Sequence, residues 1–497
     1  MLFFPTADED FKYFRSQGYD GSINDMHYKA MGGLGYTGSL NDRIHAFLTA
    51  NYGSFYEAMR DLRNGTSVFA LYAINTLIPP LVLDFKLNTY KKENVLTTLS
   101  SAVTHARASS ATMTNSSGTL VTVGNNIPRV GHHIYNGSAW VNEGILHESE
   151  ARTNLITHSD FSGSWLSTRI TLAEASVTAP DGSQDAYSIT PNTDSGEHFA
   201  QFNLTAANGT HTDSVYVKAN GYTKFMLRPV HIGAAQGNTS LAQFNLTTGE
   251  VTSHTGVSFA SVSIEDVSNG WYRVSWGFTV TGTVSASQVR LQALNSTGGA
   301  VFAGDGTSGY YVFAPQREAA PTASSYIATS GSTATRAAET LTVPAANLPY
   351  NSTNMSIQMD GRMTFADEDV SGQLKFFRWF KDNNNEIRVL YDTHSSYGTG
   401  RITFQQIQGG NFRIVNSGSN IYPEGLSVPF NIASRHGSSF VNGAISGTAL
   451  TVITTPVALP DLSTSTLSLG NTFMGTIAQF RMWDEDLTDS GIAEAST

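Results

Sequence analysis

The sequence predicts a mainly β protein: two antiparallel β-sandwiches preceded by a small α-helical N-terminal anchor and an extended connector. Three observations predict it. Only 14% of residues are charged, while Gly (45), Tyr (20) and Phe (27) are abundant, the mixture in which aromatic and β-branched residues fill strands and Gly fills turns. Short alternating runs such as Asp213-Ser-Val-Tyr-Val-Lys218 and Trp271-Tyr-Arg-Val-Ser-Trp276 recur between turn signals, as half-buried strands require. The length of 497 residues suits two to four domains at roughly 100–200 residues each.

The first 66 residues read differently. Gly18-Tyr19-Asp20-Gly21-Ser22-Ile23-Asn24-Asp25 recurs as Gly35-Tyr36-Thr37-Gly38-Ser39-Leu40-Asn41-Asp42, with a shortened copy at Tyr52-Gly53-Ser54-Phe55-Tyr56-Glu57. In each copy a Ser precedes an acid by three positions, the spacing of a capping box; Thr6 and Glu9 share it. Four short helices starting near Thr6, Ser22, Ser39 and Ser54 are expected. Helices this short are marginal alone, so they need one another or a docking surface.

Residues 67–155 are expected to form a linker and extended β connector, with a strand at Val82-Leu-Asp-Phe85 and another within 118–123. The apolar stretch from Val68 to Phe85 is interrupted by Asn75 and Pro79-Pro80 and falls short of a comfortable membrane span. The first sandwich is expected over 156–330, a linker over 331–354, and the second sandwich over 355–497. Strands of the second are anticipated in Gln373–Phe380, Glu386–Tyr391 and Arg401–Gln406.

Composition excludes several function classes. A net charge of −11 lacks the basic footprint of nucleic-acid binding and argues against strongly anionic ligands except at a local basic patch. With no cysteine, disulfides and thiolate metal sites are excluded. The N-terminus lacks a basic segment followed by a long apolar run, so no secretory signal is expected.

Three stretches carry a family resemblance. The GYxGSxND repeats, followed by Leu83-Asp-Phe85 and Thr104-His-Ala-Arg-Ala-Ser-Ser-Ala-Thr112, resemble the start of bacteriophage and prophage fibre-like proteins. Glu150-Ala-Arg-Thr-Asn-Leu-Ile156, Asn269-Gly-Trp-Tyr-Arg-Val274, Gly304-Asp-Gly-Thr-Ser-Gly309 and Ser325-Tyr-Ile327 resemble a carbohydrate-binding-like module of jelly-roll type found in phage fibres. One departure is Phe313-Ala-Pro-Gln-Arg-Glu318, which puts the local strand edge in doubt. Phe440-Val-Asn-Gly443, Leu467-Ser-Leu-Gly470 and Phe480-Arg-Met-Trp-Asp484 resemble a laminin-G or concanavalin A-like sandwich. The resemblance implies a virion structural protein, a tail or head fibre or spike. It would be assembled in the host cytoplasm as a homotrimer, attached to other virion proteins by its N-terminus and adhering to a host-surface glycan. It would insert in no membrane and bind no nucleic acid. The alternatives are a tailspike depolymerase, a purely architectural component and a secreted lectin.

Candidate chemistry is sparse. A glycosidase needs two facing carboxylates, and the Glu-x-Asp-x-Glu strand pattern of concanavalin-like glucanases is missing. Asp484-Glu-Asp486 with Asp489 reads as a strand end and helix start; Asp367-Glu-Asp369 reads as a turn. His132-His133 and His147 form no metal motif. No catalytic residue, metal or cofactor is therefore expected, and the chain is read as a non-enzyme. Sugar binding calls for aromatic faces beside polar groups. The candidates are Trp379, Tyr391, His394 and Tyr397, with Tyr397 in a loop-like Ser395-Ser-Tyr-Gly-Thr-Gly400; Trp379 alternates with Phe377 and competes with a core role. Trp271 and Trp276 are read as core.

Overall fold

The computed structural model describes residues 79–205, 207–232, 240–255, 261–365, 373–392, 400–418 and 421–497. The helices expected over 1–66 lie outside them. Among the described residues antiparallel strands dominate, and the longest helix is Thr488–Ala495. No described helix is long and apolar enough to cross a membrane.

The first sandwich comprises two six-stranded sheets. One runs Leu166–Thr168, Phe199–Leu204, Ala286–Ala293, Lys224–Ile232, Leu241–Asn245 and Glu250–Thr255; we call it the outer sheet. The other, the junction sheet, runs Ile170–Glu174, Tyr187–Pro191, Gly309–Glu318, Gly209–Asn220, Trp271–Val280 and Val262–Asp266. Strand alternation sends Val215, Val217, Val274, Trp276, Val289 and Leu291 into the shared core, so each sheet keeps one face away from it. Trp276 is fully buried there, and Trp271 is buried in a small cluster behind the junction sheet, so both are core as expected. The unusual Phe313-Ala-Pro-Gln segment does not break its strand. A bulge against Ser214 and Tyr216 absorbs it, with Ala314 at φ 55°.

The second sandwich departs from the expected boundaries. Its larger sheet centres on Met474–Trp483, which pairs with Asn354–Phe365 on one side. On its other side the same strand takes Leu81–Asp84 and then Ile145–Glu148, both from the segment read as a connector. The facing seven-stranded sheet likewise recruits Thr104–Ala106 and Thr340–Val343, the latter from the segment read as a linker. Leu81, Leu83, Phe85, Ile145, Leu341 and Val343 are accordingly buried in one core with Trp379 and Phe480. The reason is edge pairing: an unpaired strand edge leaves its N–H and C=O groups unsatisfied, and the supposed connector satisfies them.

The first sandwich is thus an insertion within the second. The chain leaves through Arg152–Asn154 and returns through Ala334–Arg336, and these two strands pair with each other. Next to this doorway lies a buried ion cluster. Arg129 donates to Glu339 at 3.0 and 2.8 Å and to Glu148 at 2.7 Å. Arg107 donates to Glu339 at 2.6 Å, and Arg336 lies 3.0 Å from Glu148. Ser325, from the first sandwich, donates to both oxygens of Glu148. Burial alone would raise the Glu148 carboxyl, but Arg336 and Arg129 hold it at about 2; Glu339 is held well below the usual carboxylate range as well.

Candidate binding cleft

The outward row of the junction sheet follows from register. Tyr216 pairs with Phe313 and with Arg273, and Arg273 pairs with Glu265. Their neighbours Val215, Val274 and Ile264 face the opposite way, toward the core. The row therefore offers an aromatic ring, a guanidinium and a carboxylate side by side. Arg273 lies over the Tyr216 ring at 5.6 Å and is anchored by donating to the Ser324 carbonyl at 2.5 Å. Burial raises the Glu265 carboxyl, opposed by the Arg273 charge.

A hairpin faces this row. His133–Tyr135 and Trp140–Asn142 pair across the turn Asn136-Gly-Ser-Ala139, whose Asn136 side chain accepts from the Ser138 and Ala139 amides. Tyr135 and Trp140 are cross-strand partners with ring centroids 5.3 Å apart, and both are partly exposed. Trp140 lies against Gly118 of a neighbouring hairpin. A Cβ there would come within 2.3 Å of the indole, and the φ of 80° already favours glycine. His132 accepts from the Thr114 amide through Nδ1, and burial with the Arg129 charge pushes its pKa down to about 3. It is therefore a neutral group near neutral pH, donating only from Nε2.

Between hairpin, junction sheet and second sandwich lies a cleft of about 130 Å³, lined among others by Tyr135, Trp140, Tyr216, Glu265, Arg273 and Ser427. That is smaller than the several hundred Å³ of a typical drug-sized pocket and suits one sugar unit at the edge of a larger chain.

The residues singled out from sequence lie elsewhere. Trp379 is fully buried, donates to the Ser465 carbonyl at 2.9 Å and meets Tyr350 edge-on. Tyr391 is fully buried and donates to the Tyr422 carbonyl at 2.8 Å. Both sit on interior strands of the seven-stranded sheet facing the core, so neither ring offers a face to a solvent-borne sugar. His394 and Tyr397 fall outside the described residues. Asp486 and Asp489 are engaged by Arg435 at 2.8–2.9 Å, at the start of the expected C-terminal helix. Among the described residues, no cluster of three or more His, Asp or Glu has metal-site geometry. Tyr135, Trp140 and Glu265 escaped sequence reading. The available signal was Asn136-Gly137 between aromatic residues, a strong hairpin mark.

No protein-family model matches the chain, and no curated protein matches it. Solved structures show distant likenesses. The binding domain of botulinum neurotoxin serotype D shares 11% identity over 32% of this chain and 39% of its own, at a TM-score of 0.25. The chain thus spans about two fifths of that structure. The CBM40 of the Ruminococcus gnavus IT-sialidase shares 10% identity over 29% of this chain and 84% of its own, at a TM-score of 0.24. Domain 4 of a GH43 extracellular arabinanase from Geobacillus stearothermophilus, solved with arabinotriose, shares 15% over 35% and 82%, at a TM-score of 0.25. At such scores the β-sandwich architecture of this chain rests on its own strand pairing.

Proposed function

We propose that the chain is a non-enzymatic structural subunit of a bacteriophage particle, a tail or head fibre or spike, that holds a host-surface glycan in the cleft beneath Trp140. The partly exposed Tyr135–Trp140 pair carries this reading. Aromatic faces pack against the apolar side of a pyranose, while Glu265 and Arg273 supply an acceptor and donors for hydroxyls. Glu148, also at the cleft, is committed to Arg129, Arg336 and Ser325, which favours binding over hydrolysis. The virion assignment draws on the GYxGSxND repeats and the Thr104–Thr112 segment. Several copies in one particle would turn weak single sites into firm adhesion.

The test is size-exclusion chromatography of purified host surface polysaccharide with and without the full chain, repeated with Trp140→Ala. Co-elution with unchanged glycan length, lost in the variant, is expected. Shortened glycan would replace the binding reading with a depolymerase; no co-elution would leave an architectural role. Absence of the chain from purified virions would overturn the virion assignment.

A further inference from the structure

The outer sheet carries a second constellation, on its face away from the core. Val289, Leu291 and Ala293 point inward, so Gln288, Arg290 and Gln292 occupy the opposite face. Register places Gln201 on one side of Arg290 and Arg228 on the other. Gln292 has Phe199 and Met226 as its neighbours, and Gln288 has Asn203 and Val230. Leu166, exposed at 48%, pairs with Gln201 at the end of the arginine row.

Arg290 is held like a tool in a rack. Its Nε donates to Gln201 Oε1 at 2.9 Å and its Nη2 to Gln288 Oε1 at 3.1 Å. Its guanidinium carbon lies 4.3 Å from the centroid of the Phe199 ring. All three contacts are with neutral groups, which fix the guanidinium plane without cancelling its charge. Arg228, by contrast, is ion-paired with Glu197 at 2.9 Å. Among the described residues the row thus brings two arginines together beside the Glu197 carboxylate, which pairs with Arg228. Beside it, Gln292 is fully buried and its Nε2 has no hydrogen-bond partner among the described residues. On a chain of net charge −11, a local excess of positive charge that is preoriented and half-buried matches a planar anion approached in bidentate fashion.

We propose that the outer sheet is a second saccharide site, separate from the cleft, in which Arg290 receives the carboxylate of an acidic sugar. Leu166 provides an apolar edge for the ring, and the Gln288 and Asn203 carboxamides bond its hydroxyls, while the buried Gln201 bridges Arg290 and Asn203 and holds both in place. The site does not depend on the virion reading or on the cleft.

Titration calorimetry of the full chain with trigalacturonate, trigalactose and a sulfated trigalactose tests it. Wild type should bind trigalacturonate in preference to both others, with affinity falling as salt rises. Arg290→Gln should weaken trigalacturonate at least about tenfold, as loss of a charge-assisted hydrogen-bonded pair does. Arg290→Lys should recover only part of it, because an ammonium lacks the planar fork. Gln201→Ala, which leaves the charge and frees its orientation, gives an intermediate loss and stands in if Arg290→Gln misfolds. Trp140→Ala should leave trigalacturonate binding unchanged, so that failure of the cleft and failure of this site are distinguishable. Equal binding of acidic and neutral trisaccharides, preference for sulfate, no binding of trigalacturonate, or undiminished binding by Arg290→Gln would each overturn the proposal.

Discussion

Glu339 Oε1 accepts a 2.6 Å hydrogen bond from Arg107 Nη1 across 232 residues of chain, and each side chain is no more than 1% exposed. The same carboxylate accepts from Arg129 and from the Glu148 amide at 2.8 Å. A single glutamate therefore joins an early segment, the strand before the insertion and the segment after it.

Removing that charge leaves the buried Arg107 guanidinium facing backbone carbonyls and takes from Arg129 one of its two carboxylate partners, Glu148 being the other. Glu339→Gln should lower stability by about 3–5 kcal/mol, the usual result of breaking one side of a buried ion pair. Urea denaturation followed by fluorescence measures it. An unchanged midpoint would mean that Glu148 on Arg129 and backbone carbonyls such as Gly124 and Thr112, which already accept from these arginines, suffice.

Acid should destabilise the fold before its carboxylates titrate. Burial holds His132, His231 and His436 at about 3 and His147 and His211 at about 4. The unfolded chain protonates these rings below pH about 6.5, whereas the folded chain does so only near those lower values. Unfolding then takes up protons, so stability falls as pH drops from about 6.5 toward 3. Glu148, depressed to about 2, adds a loss that starts below its unfolded pKa and continues toward 2. Thermal midpoints between pH 8 and 4 should be level above about 6.5 and decline steadily below it; a level profile down to pH 5 would contradict the burial of these rings.

Gly118→Ala should displace the Trp140 indole, because its Cβ has no space and φ is positive. A stability loss of about 1 kcal/mol or more is expected, with a shift in tryptophan emission and a fall in polysaccharide co-elution like that of Trp140→Ala. Unchanged emission would show that the ring does not rest on this glycine.

Ala314 sits in the left-handed region at φ 55° and is buried. Relief of backbone strain by Ala314→Gly, about 1 kcal/mol, is offset by the lost methyl, about 0.8 kcal/mol, so this variant should be close to neutral. Ala314→Val should cost about 2 kcal/mol, since a branched side chain tolerates that backbone poorly. The same urea titration distinguishes them, and equal midpoints for the two variants would refute the strain argument.

Local pattern made the strands legible, and tertiary pairing hid how they assemble. The alternation in 213–218 and 271–276 falls within observed strands, and Trp271 and Trp276 are buried as read. The strand expected at Val82–Phe85 lies one residue earlier, at Leu81–Asp84, yet its partner Met474–Trp483 lies near the far end of the chain. Period-two alternation reports which face is buried, never which strand lies alongside, so an edge strand and a linker read alike. Trp379 and Tyr391 show the converse limit: aromatic residues between polar ones suit a sugar platform and a sheet core equally, and the surrounding layers decide. The cleft assembles Trp140, Glu265 and Ser427 from three distant segments, a convergence that no local window contains.

The paired strands Arg152–Asn154 and Ala334–Arg336, matched as Arg152 with Arg336 and Asn154 with Ala334, act as a two-lane doorway. Everything between them enters and leaves the host scaffold at one point, where a tight turn could close the gap. Such an insert is a cassette: recombination could replace it wholesale with another module whose ends lie equally close. The scaffold would keep most of its core, while the recognised surface changed in a single genetic step.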